Sequence, residues 1–325
     1  MAAPDPASLV DWPEEFGTRF TVFVDVEEEF DWSAPLDRAS RSTTAMAALP
    51  DTHRRFADRG VGLTCLIDHP IAADPAAVAI LARIIEDGRS EIGSQLHAWV
   101  NPPFLEPLSP AASYAGNLPY ALEAAKLDIL TDAIVAAFDV APRVYRAGRY
   151  GIGQNSHALL ASRGYRIDSS VRSRYDYSRE GGPDFRAVGN AAYRVADGLL
   201  ELPLTTVFTG SARRGGQALY DALGWLPKGR GIAARAGLLA RIALTPEDMP
   251  ITAALAAVDV AIGQGERLLT LSFHSPSLAP GHTPYVRDRA DLSRFHAWWD
   301  RMLDHLHHRG VRSASITDIL QASDQ

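Results

Sequence analysis

The residues Asp25-Val26-Glu27-Glu28-Glu29-Phe30-Asp31-Trp32 form the densest polar cluster of the chain and follow directly on the apolar run 20–24. Side chains alternate along a strand, so Asp25 and Glu27 share one face at its carboxyl end. Two carboxylates there can divide the work, one as a cation ligand and one as a general base, because a neighbouring cation favours their ionised forms. Taken alone, the run reads equally well as a solvated acidic loop. Four other reactive residues tilt that balance: His97 follows the run 91–96, Arg146 ends the run beginning at 144, Asp168 ends 165–167, and His274 follows 268–273.

These residues need strands to carry them, and the chain supplies the pattern. Short β-branched or aromatic runs at 19–26, 61–67, 91–96, 144–147, 165–168, 199–204, 268–273 and 311–316 alternate with helical stretches at 51–59, 76–87, 120–138, 156–163, 251–262 and 291–308. Such alternation predicts a parallel α/β architecture, a closed or nearly closed barrel, with an open doubly wound sheet as the competing layout. In parallel barrels the carboxyl ends of several strands form the active face. Acid, base and guanidinium therefore converge on one rim.

Composition limits the function classes. The 325 residues carry 32 Lys+Arg against 39 Asp+Glu, a net charge of -7, which argues against a nucleic-acid binder. A 46% hydrophobic share supports a buried core, and the lone Cys65 excludes a disulfide framework or a multi-cysteine zinc site. The first residues lack a basic then apolar leader, and no run reaches the length of a spanning helix, so a cytoplasmic location is expected. The stretch 205–244 departs from the rest: Arg213, Arg214, Lys228, Arg230, Arg235 and Arg241 face only Asp221. This basic island reads as a helical insertion at about 205–265, either a solvated insertion or a surface for an anionic partner such as a glycan or a membrane.

Five segments in order, TVFVDVEEEFDW at 21–32, EIGSQLHAWVNPP at 91–103, YRAGRYG at 145–151, IDSSVRS at 167–173 and LSFHSPSLAPGHTPYVR at 271–287, resemble the motifs of the NodB-homology polysaccharide deacetylases. These are carbohydrate esterases of family four in the broad sense, and the likeness is closest to the branch labelled WalW-like. The resemblance implies a distorted parallel (β/α) barrel spanning 19–322 after a lead-in at 1–18, a single domain with the inserted segment. It implies hydrolysis of a carbon–nitrogen amide bond, the N-acetyl group of an amino sugar or polysaccharide precursor. By the same resemblance Asp25 is the base that activates water, Arg146 orients that base, His274 protonates the departing amine, and Glu27 binds a divalent metal, usually zinc. Asp168 matches a segment that supports the arginine or the substrate.

The second motif departs from the family. Its two histidines stand four residues apart, whereas here Asn101 follows His97 at that spacing and Gln95 takes the alternative upstream place. A weaker site of Glu27, His97 and an amide from Asn101 or Gln95, suited to a harder ion, is one reading. The others are a metal-independent, allantoinase-like amide hydrolase of the same fold, and an inactive barrel that binds a glycan or a partner. Trp99 and His282 lie in loops expected on the rim, where they could touch substrate.

Overall fold

The computed structural model describes residues 1–196 and 198–325. Its strands are β1 (Arg19–Val26), β2 (Thr64–Ile67), β3 (Glu91–Leu96), β4 (Val144–Ala147), β5 (Ile167–Asp168), β6 (Tyr193–Ala196), β7 (Leu199–Glu201), β8 (Thr206–Thr209), β9 (Ala240–Ala243), β10 (Leu268–His274) and β11 (Arg312–Ser313). Its helices are α1 (Leu49–Ala57), α2 (His69–Ala72), α3 (Pro75–Ile85), α4 (Tyr120–Phe138), α5 (Ser156–Ala161), α6 (Gly216–Gly224), α7 (Gly229–Arg235), α8 (Ile251–Gly263), α9 (Arg289–His308) and α10 (Ile316–Ser323). The main sheet runs β10-β1-β2-β3-β4-β5-β7 in parallel, with β6 antiparallel at the far edge and β11 beside the start of β1.

Alternation along the strands produces two cores. Val22, Val24 and Val26 of β1, with Cys65, Ile67, Leu96, Leu271 and Phe273, face the helical layer of α1, α3, α4, α8 and α9. The opposite face carries Phe23, Leu66, Val144, Ile167, Leu200 and Leu268, which meet Trp12 and Phe16 from the lead-in and Ile316, Ile319 and Leu320 from α10. The concave face of the sheet is thus packed with apolar side chains low down. The buried charged side chains Asp25, Glu27 and Arg146 stand at the carboxyl ends of its strands, where a parallel α/β active face lies.

The sheet curls without closing. The first and last strands of its parallel run, β10 and β7, do not pair; the residues flanking the separate antiparallel β8–β9 sheet bond to β10 and to the segment after β5. The Thr205 amide donates to the Thr270 carbonyl at 3.2 Å, the Ser272 amide to Leu244 at 3.2 Å, and the Leu204 amide to Val171 at 2.8 Å. The expected barrel is therefore a curled half-barrel whose gap is bridged by a few hydrogen bonds. The segment expected to be helical holds β8 and β9 as well as α6, α7 and α8. No helix among the described residues is long and apolar enough to cross a membrane.

Candidate active site

Register brings the reactive residues together. Asp25 lies opposite His274 across β1 and β10, and Gln95 opposite Arg146 across β3 and β4, so the pleat turns each pair to the same face. With Glu27, His97 and Trp99 they line one cleft of about 880 Å³ above the inner core. Arg146 is buried, with four of its five N–H groups hydrogen-bonded. Its Nη1 donates to Asp25 Oδ1 at 2.6 Å and to Ser272 Oγ at 2.9 Å, its Nε to the Ser169 carbonyl at 2.9 Å, and its Nη2 to Ser169 Oγ at 3.0 Å. The guanidinium fixes one carboxylate oxygen of Asp25 and leaves Oδ2 toward His274, whose Nε2 is 3.4 Å away.

His274 is held from behind by Glu247. The Nδ1 hydrogen faces Glu247 Oε2 at 2.6 Å, while Glu247 Oε1 accepts from the His274 amide at 3.1 Å and from Ser277 Oγ at 2.6 Å. Burial works against charging this imidazole, but the carboxylates of Glu247, Glu27 and Asp25 outweigh it and push its pKa up to about 10. Burial would raise Glu247; the His274 charge and three hydrogen bonds bring it below its ordinary value instead. The pair is an imidazolium held against a carboxylate, with Nε2–H directed into the cleft.

On the other side of Asp25, Glu27 Oε2 stands 3.4 Å from His97 Nε2 and 3.4 Å from Gln95 Nε2. Burial pushes the Glu27 carboxyl up to about 7, in spite of the His274 and His97 rings. His97 is oriented by a group with no place in the sequence reading: its Nδ1 donates to Glu28 Oε2 at 2.7 Å, and Trp99 Nε1 donates to Glu28 Oε1 at 2.8 Å. The Trp99 ring stacks on His97 with centroids 4.2 Å apart, so it is a wall of the imidazole and fully buried. A Cβ on Gly148 would come within 2.5 Å of the His97 ring, which is why that position is glycine.

The cation fit can be tested on these atoms. Glu27 Oε1 and Gln95 Oε1 are buried without a hydrogen-bond partner among the described residues, and the carboxylate behind His97 Nδ1 leaves Nε2 as the ligand nitrogen. Glu27, Gln95 and His97 therefore fit a divalent cation, with more oxygen than a zinc site commonly has. Asn101 does not join them. The turn after β3 returns its backbone amide to the His97 carbonyl, and its side chain donates to the carbonyls of Pro102 at 2.6 Å and Lys126 at 2.9 Å, tying down the loop. His282 pairs with Glu29 at 3.3 Å and Asp168 points to the opposite face of the sheet, so neither lines the cleft. Asp168 reaches Arg146 only indirectly, through the Ser169 and Ser170 segment.

Glu247 was the principal omission of sequence reasoning. It enters from a loop after β9 with no motif around it, and only the extra carboxylate needed behind a general-acid histidine could have prompted a search. Trp32, Phe30 and Tyr285 supply the aromatic lining; the Trp32 ring meets His274 edge-on at 5.2 Å.

No family model matches the chain, and no curated protein matches it. Among solved structures, a Mycobacterium smegmatis protein provisionally named a polysaccharide deacetylase aligns over 96% of this chain and 98% of its own, at 16% identity and a TM-score of 0.50. A GH57 branching enzyme from Thermococcus kodakaraensis aligns over 94% of this chain and 71% of its own, at 12% identity and a TM-score of 0.52. What is shared is the fold. A peptidoglycan deacetylase from Bacillus subtilis aligns over 95% of this chain and 92% of its own, at 12% identity and a TM-score of 0.40. Because a branching enzyme and a protein named as a deacetylase share the architecture, the reaction has to be argued from the side chains.

Proposed function

We propose that the chain is a NodB-type hydrolase of carbon–nitrogen amide bonds, of the WalW-like branch, removing the N-acyl group of an amino sugar or saccharide precursor. The observation behind this reading is the Asp25–His274 pair: Oδ2 and Nε2 face each other at 3.4 Å over the cleft, each held from behind by Arg146 or Glu247. Asp25 Oδ2 takes a proton from the water that adds to the amide carbon. As the carbon–nitrogen bond breaks, His274 Nε2–H passes to the departing nitrogen, which leaves as the amine. The proton on Oδ2 then returns to Nε2, resetting both groups. A divalent cation, when bound by Glu27, His97 and the Gln95 amide, supplies Lewis-acid polarisation of the carbonyl. Trp32, Phe30 and Tyr285 offer the flat apolar faces on which a sugar ring stacks.

The test is acetate release from N-acetylated oligosaccharides. Asp25→Asn and His274→Ala should each lower turnover by roughly 100-fold or more with the cooperative unfolding transition preserved. Unchanged turnover in both overturns the mechanism. A metal-independent version is favoured by the hydrogen bond from Gln95 Nε2 to Glu27 Oε2 at 3.4 Å, which already satisfies one of its oxygens. Acetate release that survives exhaustive chelation selects that version.

A further inference from the structure

On the convex face of the sheet, behind Arg146, lies a second imidazole–carboxylate cluster that the proposed reaction does not use. Asp168 and Glu201 are register partners at the ends of β5 and β7, and His157 projects toward them from the first turn of α5. Asp168 and Glu201 are completely buried. Each spends one oxygen on the chain: Asp168 Oδ1 accepts from the Ser170 amide at 3.0 Å and from its hydroxyl, and Glu201 Oε1 accepts from the Val171 amide at 3.0 Å. The remaining atoms, Asp168 Oδ2, Glu201 Oε2 and His157 Nε2, are buried without a hydrogen-bond partner among the described residues and lie within 4.8 Å of one another. A second oxygen of Glu123, next to His157 through Ser156, is orphaned in the same way.

We propose that His157, Asp168 and Glu201 form a structural site for a divalent transition cation, separate from the cleft. Buried polar atoms are ordinarily satisfied, and here three without a hydrogen-bond partner among the described residues converge. The donor set, one imidazole and two carboxylates, suits Zn²⁺ or Mn²⁺ and balances a double positive charge. Ligands held ~2.0–2.1 Å from a tetrahedral ion stand about 3.3 Å apart. His157 Nε2 is 3.3 Å from Asp168 Oδ2 and 4.0 Å from Glu201 Oε2, so a movement of the Glu201 carboxylate by under about 1 Å brings three ligands to that spacing and leaves the fourth position to water. The outer hydrogen bonds that aim each carboxylate are already made. Ser170, which bonds Asp168, also accepts from the Ala147 amide at 2.8 Å, and Ser169 holds Arg146; a cation here fixes α5 and the segment that carries the arginine.

The test uses the full chain, chelated and then titrated separately with Zn²⁺ and Mn²⁺, with bound metal counted by equilibrium dialysis. Glu27→Gln, which weakens any cleft site, should still bind about one equivalent. His157→Ala should lose one equivalent relative to the unsubstituted protein. Saturating Zn²⁺ should raise Tm by about 2–5 °C in Glu27→Gln and leave the Glu27→Gln, His157→Ala double variant unmoved. Co²⁺ added to Glu27→Gln should give a d–d band that is lost in the Glu27→Gln, His157→Ala double variant. If His157→Ala does not fold, Glu201→Gln replaces it. A Glu27→Gln protein that binds no cation, or a His157→Ala protein that binds as many as the parent, overturns the site and leaves a proton shared between the two acids.

An independent observation supports a second inference, at the α6–α7 hairpin. Trp225 is 89% exposed, Leu226 60%, Ile232 59% and Leu238 49%, and the same segment carries the exposed Arg213, Arg214, Lys228 and Arg235. The opposite side of the hairpin is held by a small cluster of Phe208, Ala233 and Leu239. The geometry points to a docking face for an anionic lipid bilayer, since apolar tips set among cations insert at a headgroup boundary and the rest of this acidic chain is repelled by it. The protein should cosediment with phosphatidylcholine vesicles containing 30% phosphatidylserine, and Trp225→Ser with Leu226→Ser should lower binding at least ~5-fold. Failure to cosediment, or retention on a soluble polyanion with no vesicle binding, overturns it.

Discussion

Two clusters in this protein are built from the same residue types, one imidazole and two carboxylates, and they behave differently. In the first, at the cleft, Glu28 accepts from His97 and Trp99, and Asp68 accepts from the Glu28 amide at 2.8 Å and the Ile71 amide at 2.9 Å. Every carboxylate oxygen there has a donor. In the second, His157, Asp168 and Glu201 turn three atoms toward one another with no partner among the described residues. A satisfied cluster orients something else, here the His97 ring. An unsatisfied one, with its outer hydrogen bonds already in place, is shaped for something to enter.

The largest expected effect comes from breaking the satisfied cluster. Asp68 caps α2 and holds the backbone of Glu28, so Asp68→Ala orphans two buried amides and removes a helix cap. It should cost about 3 kcal/mol or more, read as a lower urea midpoint, whereas Asp68→Asn, which keeps one acceptor oxygen but turns its NH₂ group toward the other amide hydrogen, should destabilise by less. Equal losses for both would mean that the one hydrogen bond Asn retains contributes nothing.

Glu28→Gln comes next. One amide oxygen cannot accept from both His97 and Trp99, and its NH₂ group would face one of their hydrogens. Turnover should fall roughly 10- to 100-fold, mostly in kcat, with the cleft residues all present. A change confined to stability would reduce Glu28 to a packing role.

The His274–Glu247 pair sharpens the comparison, as an imidazole and a single carboxylate with complete satisfaction. The His274 pKa is raised from 6.5 to about 10 in the folded protein, so the stability it contributes is fully present below about pH 6.5 and is lost as pH rises through about 10. The alkaline limb of activity should lie near that upper value if His274 is the general acid. Glu247→Gln removes the main charge that opposes desolvation and should move the limb down by about one pH unit or more. A limb that stays in place would assign it to another group.

How much of this was legible follows from how each element announces itself. β1, β3, β4 and α4 appear at the boundaries their patterns predict, because long periodic runs end at clear punctuation or at polar catalytic residues. β6, β8 and β9 are four-residue strands in arginine-, threonine- and alanine-containing stretches, and no period can be read from so few residues. Asp25, Glu27, Gln95, His97, Arg146 and His274 were legible because strand ends collect them. Asn101 was read from spacing alone, and the single turn after His97 sends its amide to Lys126. Glu28 sat inside the acidic run, but its outward turn to His97 depends on chain reversal after β1. Asp68, Glu201 and Glu247 depend on which distant segments meet, and only the folded chain decides that.

The smallest effect is also the one that decides between the clusters. Glu201→Gln keeps the oxygen that accepts from the Val171 amide and places an NH₂ group where Glu201 Oε2 stood, beside the orphaned Asp168 Oδ2. In metal-free protein this substitution should therefore be neutral or stabilising within about 1 kcal/mol, although the same change at Glu28 destabilises. In zinc-saturated protein its sign should reverse, because the amide is a poor ligand and the thermal gain from the cation disappears. Paired melting curves of Glu28→Gln and Glu201→Gln, with and without Zn²⁺, read all four states. Were Glu201→Gln to destabilise the metal-free protein as much as Glu28→Gln does, the outer cluster would already be satisfied by a shared proton, and the distinction between an orienting cluster and a ligand cluster would fall.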